Sequence, residues 1–422
     1  MTMLGYEHYV DPNAVPRISK EHARMDMFDY PPFLDRLLGM WGPLSKEPVR
    51  GISSDGHVIQ GLYGLKPNAA PVASAAQAAM RWLDSLDGSA RARVHFPLDS
   101  RYRFQWQNTP LLLRPDQMEL LEMTHDQRER ALELVRASLS SRGYERTRGI
   151  MDNNRLLGEL NNLTDLLNEW SFSMAIYGTP STSDPWGWQF FGHHLALNCF
   201  FVGGQMVLSP VFMGLEPDHD HGGTRRRAFE PHEQRALALF HGLSPSDQKA
   251  AILYRSMLTA DQPEGRYHPD DGRQVGGAFQ NNRVVPYEGV SVRNFNADQR
   301  RALLDLADVF IDALPDGVFG ARLSEIERYL DRTHFAWIGQ ADEVNPFYFR
   351  IHSPVALLEL DHHSGIFLAN EEPARFHVHT IARAPNGGDY GVDLLRQHYA
   401  RGGHDGGGAH SHDGGHTFHN HD

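Results

Sequence analysis

The stretch RFHVHT carries two histidines, His377 and His379, with one residue between them. On a β-strand, side chains alternate between the two faces, so both imidazoles would point the same way and could bind one metal ion. Glu359 lies just upstream in the apolar run ALLELD, where a buried carboxylate is costly unless it is paired or bound to a cation. A His-x-His pair with a nearby glutamate is the ligand set of many zinc, iron and manganese sites. The alternative is two surface imidazoles and an ion pair between Glu359 and Arg350.

A second pair of histidines follows an aromatic run in WGWQFFGHHLALN. Adjacent residues of a strand face opposite sides, so only one of His193 and His194 would easily join a common site. The face of His194 also carries Trp188 and Phe190, whereas the face of His193 is more apolar, so we predict His194 as a ligand and His193 as a supporting or catalytic residue. The alternative is that both are core histidines. The predicted metal ligands are His194, Glu359, His377 and His379.

Arg350 is a third candidate, because it alternates with Tyr348 along the strand-like stretch FYFRIHSP. An arginine there can anchor a substrate carboxylate or pair with Glu359. The aromatic residues around these motifs favour an apolar or aromatic small molecule as substrate, although they can also simply pack the core. The predicted catalytic residues are Arg350 and His193, and the predicted substrate contacts are Trp186, Trp188, Trp337 and Tyr348.

Other histidines receive a different interpretation. His362 and His363 follow Asp361 at an expected turn, so we place them on the surface. The run from Asp218 to His221, PDHDHGG, alternates aspartate and histidine but is glycine-rich, which favours a solvated turn.

These residues support two kinds of metal-dependent chemistry. A divalent zinc, iron or manganese ion could activate water for hydrolysis, or two histidines and a carboxylate could support dioxygen chemistry. The alternatives are a non-catalytic metal-binding or sensing protein that uses the histidine-rich tail, and a haem protein with an axial histidine. The motifs of P-loop NTPases, Rossmann enzymes, α/β-hydrolases and zincin proteases do not occur in the sequence.

The elements that must position these residues fall into two β-rich blocks. The first covers residues 171–217 and contains three expected strands, with turns at residues 178–180 and 203–204, and the second covers residues 334–385. Helical patterns separate the blocks, and one helix start carries Thr124 and Gln127 in capping-box positions. The sequence therefore predicts an α+β fold with a mixed or antiparallel sheet, assembled from both blocks and flanked by helices.

Composition sets the wider limits. We divide the 422 residues into an irregular N-terminal arm (1–70), a main α+β domain (71–400) and a disordered Gly/His-rich tail (401–422). The net charge of −13 and the lack of a Lys/Arg-rich run argue against nucleic acid as a partner. With one cysteine, no secretory signal and no apolar run long enough for a membrane span, a cytoplasmic protein with no membrane partner is expected. The oligomeric state is left open.

Taken together, the motifs resemble the family catalogued as domain of unknown function 3500. The similar segments include WGWQFFGHHLALN, PVFMGLEP, FYFRIHSPVALLELD and RFHVHTIARAPNGGDYGVDLLRQHY, and the resemblance runs roughly from residue 79 to residue 399. The sequence departs from the family pattern at Phe376, where asparagine is usual, and at Ser353, where glycine is usual. The resemblance supplies no reaction. It implies that one site is formed by His193, His194, Arg350, Glu359, His377 and His379.

Overall fold

The computed structural model describes residues 5–13, 35–114, 116–218, 227–268 and 271–402. The run His219–Asp220–His221 and the tail after Gly402 therefore lie outside the described residues. The division into an arm, a main domain and a tail stays a prediction. Within the N-terminal seventy residues, Trp41 is fully buried and packs against Phe279, with 5.3 Å between the ring centroids.

The described residues contain ten α-helices and eleven strands, which confirms the α+β prediction. The helices are α1 (Asp35–Leu44), α2 (Val72–Asp84), α3 (Gly88–Val94), α4 (His125–Ser138), α5 (Ser141–Asn161), α6 (Glu230–His241), α7 (Pro245–Ala251), α8 (Ala297–Ile311), α9 (Asp316–Arg328) and α10 (Val392–Ala400). The strands are β1 (His95–Phe96), β2 (Phe172–Tyr177), β3 (Trp186–Gly192), β4 (Leu195–Val202), β5 (Gln205–Leu215), β6 (Ile252–Tyr254), β7 (Val290–Ser291), β8 (His334–Gly339), β9 (Phe347–His352), β10 (Leu357–His362) and β11 (Val378–Arg383). The capping box of Thr124 and Gln127 at the start of α4 is confirmed.

All eleven strands belong to one mixed sheet. Its order is β1-β2-β3-β4-β5-β11-β10-β9-β8-β6, with β7 paired to β8. The pairs β1–β2 and β6–β8 are parallel, and the other pairs are antiparallel. The two β-rich blocks of the sequence meet where β5 pairs with β11. This junction brings the hairpin of β3 and β4 close to β10 and β11.

The sheet has two differently covered faces. Helices α2, α4, α6, α8 and α9 contribute to the largest apolar core, which contains Trp188 and Phe349 from the sheet; we call this side the helix-covered face. The opposite side, the site face, carries Phe212 and Ile381 in a second core and is covered partly by irregular segments. Because β3 and β4 are buried on both faces, their sequences are almost continuously apolar and alternate only weakly.

The first β-rich block contains four strands, so the expectation of three was wrong. Strand β3 ends at Gly192, β4 begins at Leu195, and these two residues pair across a two-residue turn made by the two histidines. His194 adopts a left-handed backbone conformation with φ 61°, which two-residue hairpin turns commonly require and histidine tolerates better than most residues. The alternation used to separate His193 from His194 therefore does not apply.

No helix among the residues that the structure describes is long and apolar enough to cross a membrane.

Candidate metal centre

Three imidazoles converge on the site face. The Nε2 atom of His377 lies 3.0 Å from that of His379 and 3.2 Å from that of His194, and the His194 and His379 nitrogens are also 3.2 Å apart. All three side chains are buried, with 4% of His194 and 3% of His379 exposed. We call these residues the histidine triad. The sequence-predicted ligands His194, His377 and His379 are thus brought together, and the triad could hold a metal ion.

The sheet order explains how the triad assembles. His379 lies on β11 and His377 directly precedes that strand, while His194 reaches the same point from the β3–β4 turn. Strand β5 runs between them, and its Gly214 pairs with His379 and donates its backbone N–H to the carbonyl of His194. A Cβ atom at Gly214 would lie 3.0 Å from the ring of His379 and 3.4 Å from the ring of His194. The missing side chain at this position lets the two rings approach each other.

The protonation states suit metal binding. Burial, followed by the neighbouring histidines, lowers the pKa of each triad imidazole well below its usual value, so all three rings are neutral at neutral pH. The Nδ1 atom of His377 lies 2.9 Å from the carbonyl oxygen of Ser364, and a carbonyl can only accept. This contact places the ring proton on Nδ1 and leaves the Nε2 lone pair of His377 directed at the other two rings.

The spacing of the three nitrogens agrees with a tetrahedral ion. Zinc–nitrogen bonds of about 2.0–2.1 Å at tetrahedral angles separate neighbouring nitrogens by about 3.3 Å. The observed separations of 3.0–3.2 Å are close to this value. The lone pair of His377 Nε2 faces the Nε2 atoms of the other two rings at these distances, so an ion between the three nitrogens would be within bonding reach of all of them. The donor set therefore fits a divalent metal that is held by three protein ligands.

A buried glutamate that sequence analysis missed lies beside the triad. Glu216 directly follows β5, and its carboxylate is 3.7 Å from Nδ1 of His377. Its Oε1 atom accepts backbone N–H groups from residues 366–368 at 2.9–3.2 Å. Burial raises the pKa of Glu216 to about 7, although these N–H donors lower it. With His193 and His194, Glu216 forms a second group that could hold an ion. Its position near the end of PVFMGLEP, one of the segments that carry the resemblance to the family, was the available sequence signal.

His193 supports the triad from the turn. Its ring stacks on that of His194, with 3.9 Å between centroids, and its Nδ1 atom lies 2.9 Å from Oδ1 of Asn154. Burial lowers the pKa of His193 to about 3. The stacked rings lie on the same side of the chain rather than on opposite faces, so the expectation that they face opposite sides was wrong. Because the turn replaces the strand, His194 also does not share a face with Trp188.

Two further polar residues flank the triad. Asp361 is the direct partner of His379 in the pairing of β10 with β11, so both side chains emerge on the site face. The ring of His363 lies 4.8 Å from that of His379 and 5.0 Å from that of His377. Gly272 comes so close that a Cβ atom there would lie 2.1 Å from Asp361 and 2.9 Å from His363. The triad is thus bordered by a carboxylate and a fourth imidazole.

The surface prediction for His362 and His363 was wrong, because both are fully buried. Strand β10 continues through His362, and the expected turn begins only after it. His362 contacts Glu233 through its Nε2 atom at 2.9 Å, and His363 contacts the carbonyl of Ser364 through its Nδ1 atom at 2.8 Å. His362 looked solvent-facing because its buried partner, Glu233, lies 129 residues away in the sequence.

Glu359 and Arg350 form a separate polar group on the site face. The Glu359 carboxylate accepts the backbone N–H of Val275 at 2.9 Å and that of Gly276 at 2.8 Å, and it accepts the hydroxyl of Tyr348 at 2.6 Å. Arg350 is the direct cross-strand partner of Glu359 but forms its ion pair with Glu288, at 2.6 Å. Among the described residues, neither group of converging metal-ligand atoms includes Glu359. The structure therefore does not place the Glu359 carboxylate among the ligand atoms that converge at the triad, and the roles of Arg350 and Tyr348 stay predictions.

The three predicted tryptophan contacts lie away from the triad. Trp186, Trp188 and Trp337 are buried in the main core beneath the helices, on the face of the sheet opposite the triad. Trp186 stacks on Phe201, and the indole N–H of Trp188 bonds to Ser138. The aromatic rings that do approach the histidines are those of Phe212 and Phe367, on the site face and in its covering segment.

We expect Glu216→Gln to weaken metal binding about tenfold while one ion per chain is still bound, because a carboxylate that orients a liganding imidazole contributes this much. Glu359→Gln is the matched control, since Glu359 is also fully buried and accepts two backbone N–H groups, and it should leave the affinity unchanged. The measurement is competition for zinc against a chromophoric chelator. Loss of the ion from Glu216→Gln would show that Glu216 is a direct ligand. Loss of the ion from Glu359→Gln would show that Glu359 is a ligand, as the sequence predicted.

The fold and the triad define an α+β protein with a buried histidine site that could hold a metal ion. A family model described as a protein of unknown function (DUF3500) matches residues 68–392, and this chain belongs to that family. Neither the curated proteins nor the solved structures compared with the chain contain a match. The matched range includes every residue of the triad, Glu216 and Asp361.

Proposed function

We propose that this protein is a metal-dependent enzyme that holds a divalent ion, preferentially zinc, on His194, His377 and His379. The observation that supports it is the convergence of three neutral, buried Nε2 atoms to within 3.0–3.2 Å of one another. Three histidines with an open fourth position are a ligand set of catalytic zinc. When bound there, the ion would supply Lewis acidity and lower the pKa of water.

The groups around the triad favour catalysis over storage. Asp361 is fully buried opposite His379, and its Oδ2 atom accepts the backbone N–H of Arg273 at 2.9 Å. The Oδ1 atom of Asp361 makes no hydrogen bond among the described residues and lies 3.5 Å from the Arg273 guanidinium. In the proposed mechanism, this oxygen accepts a proton from water or from a substrate hydroxyl. A purely metal-storing site has no need of a buried carboxylate in this position.

Water activation is favoured over dioxygen chemistry by the ligand types. Non-haem iron oxygenases commonly use two histidines and one carboxylate, which is the composition of the second group (His193, His194 and Glu216), whereas three imidazoles make up the triad to which we assign the ion. A haem is disfavoured because three nitrogens 3.0–3.2 Å apart leave no space for a porphyrin ring between them. The proposed substrate is a small apolar or aromatic molecule with a hydrolysable bond, since Phe212 and Phe367 border the histidines and the enclosed triad excludes bulky groups.

The first test is the metal content of protein purified without an affinity tag. We expect about one zinc per chain, both in the full chain and in a chain that ends at Gly402. Loss of the ion with the tail would instead favour a metal-handling protein, and iron or manganese would favour dioxygen chemistry. A Soret band in the visible spectrum would favour haem, and absence of any bound metal would contradict the proposal.

The second test separates catalysis from binding. We expect Asp361→Asn to retain one ion per chain but to hydrolyse aryl esters at least about 100-fold more slowly than the wild type, the usual contribution of a general base. The measurement is release of p-nitrophenol from a series of p-nitrophenyl esters, with chelator-treated and zinc-restored protein as reference. An apoprotein that is as active as the zinc-loaded protein would contradict the enzyme proposal, and an unchanged rate in Asp361→Asn would remove Asp361 from the mechanism.

A further inference from the structure

A second feature lies on the helix-covered face, away from the triad. A cavity of about 190 Å³ is enclosed between α8, α9 and the strands β5, β10 and β11. Its inner wall is apolar and includes Val211, Phe310, Leu314, Val318, Leu358 and Ala382. A cavity of about 150 Å³ lined by such residues is large enough to bind benzene. The space therefore suits one substituted aromatic ring or an alkyl chain of about seven carbons.

The inner polar groups of this cavity are already satisfied. The hydroxyl of Ser209 donates to Asp389 at 2.6 Å, and the guanidinium of Arg383 donates to the same carboxylate at 2.8 Å. The hydroxyl of Tyr63 donates to the carbonyl of Pro385 at 2.6 Å. Because these groups are committed to internal partners, the interior offers an incoming molecule mainly apolar contact, and a polar head would find its partners only at the mouth.

The mouth of the cavity carries positive charge. Lys66, Arg322 and Arg328 line it together with a single carboxylate, that of Glu325. Arg322 is paired with Glu325, whereas Lys66 and Arg328 are exposed and form no ion pair with any described residue. The chain as a whole has a net charge of −13, so its general field repels anions. Two uncommitted cations at the entrance of an apolar cavity therefore form a local attraction for an anionic head group.

We propose that this cavity binds a small amphipathic monocarboxylate, such as a medium-chain or aryl-substituted acid. The apolar part lies against α8, α9 and the sheet, and the carboxylate contacts Lys66 and Arg328 at the mouth. The site is independent of the metal centre, because Val211 and Ala382 project from the opposite face of the strands that carry Gly214 and His379. The ligand is held without any covalent step.

Octanoate is the probe, with octan-1-ol as the uncharged analogue of equal chain length, and binding is measured by titration calorimetry on the full chain at low ionic strength. We expect octanoate to bind about tenfold more tightly than octan-1-ol, because each exposed charge contact contributes a factor of a few. Added salt should reduce this preference, since exposed charges are screened. Equal affinities for the two compounds, or no binding of octanoate at millimolar concentration, would overturn the proposal.

Two kinds of variant locate the binding. Lys66→Gln combined with Arg328→Gln should lower the octanoate affinity about tenfold and leave octan-1-ol unaffected, and these exposed positions should not disturb folding. Lys249→Gln, an exposed lysine on α7 outside the cavity, is the matched control and should change neither affinity. Val318→Phe should weaken the binding of both compounds, because the larger side chain fills part of the apolar cavity.

The charge variant and a triad variant, His377→Ala, separate this proposal from the enzyme proposal. If the charge variant retains full octanoate affinity, the carboxylate site is wrong. The measurement is repeated on His377→Ala, where unchanged octanoate binding is expected because the triad lies on the other face of the sheet. Loss of octanoate binding in that variant would show that the compound binds at the metal centre instead.

Discussion

His377→Ala and His379→Ala should each abolish stoichiometric metal binding while the fold survives. Each variant removes one of three converging nitrogens, and loss of a direct ligand should weaken affinity by more than the roughly 10–100-fold that follows from loss of a supporting group. The backbone pairings of β11 with β5 and β10 do not involve the imidazole atoms, so the sheet should be retained. The measurement is metal content by elemental analysis together with a zinc competition titration.

His352→Asn is the matched control for these variants. His352, on β9, is also a buried histidine, and it is neutral because burial lowers its pKa well below the usual value. It belongs to neither group of converging ligand atoms. It should keep one ion per chain. Circular dichroism of all three variants distinguishes loss of a ligand from loss of the fold. If both His377→Ala and His379→Ala retain full metal content, the triad is not the metal centre.

Glu233→Gln should lower the free energy of unfolding by about 3–5 kcal/mol at pH 6, the usual cost of breaking a buried ion pair from one side. The carboxylate of Glu233, on α6, is almost fully buried and accepts hydrogen bonds from Arg227, Arg375 and His362. His362 ends β10 and Arg375 precedes β11, so this one side chain ties α6 to both strands of the triad region. The variant leaves the buried guanidinium group of Arg375 and the partly buried one of Arg227 without their shared carboxylate.

The pH dependence of this effect has a definite sign. Burial by itself raises the pKa of Glu233, but the hydrogen bond from His362 and the charges of Arg227 and Arg375 outweigh it and lower the pKa to about 2. This value lies below the ordinary 4.5 of a glutamate, so the stabilisation is fully present above about pH 4.5 and is lost as the pH falls through about 2. The difference between wild type and Glu233→Gln should therefore shrink at low pH.

Urea unfolding at pH 6, 4 and 3, with chelator present so that metal binding does not contribute, measures this difference. Glu133→Gln is the matched control: Glu133 on α4 pairs with Arg81 at 2.7 Å, but both side chains are more than a third exposed. Such a surface pair should contribute less than about 1 kcal/mol. A Glu233→Gln protein as stable as wild type at pH 6 would show that the buried pair offers no net stabilisation.

Several features of the protein follow from the sequence alone. The His-x-His spacing places His377 and His379 on one face, because alternation on a strand depends only on local backbone geometry. The capping box at Thr124 likewise depends on contacts three residues apart. The α+β class and the two β-rich blocks follow from the apolar patterns, and the family follows from motifs spread over most of the chain.

Other features depended on tertiary contacts. His194 joins the triad because Gly214 on an intervening strand leaves space between the rings. The strand alternation that favoured His194 over His193 as a ligand is not the reason. Glu216 approaches His377 through the pairing of β5 with β11, which no local pattern encodes. The same sheet directs the tryptophans to the opposite face and buries His362 and His363. Local periodicity determines which residues share a face of one strand. Strand pairing determines which residues from distant segments come close together, and metal coordination requires that proximity.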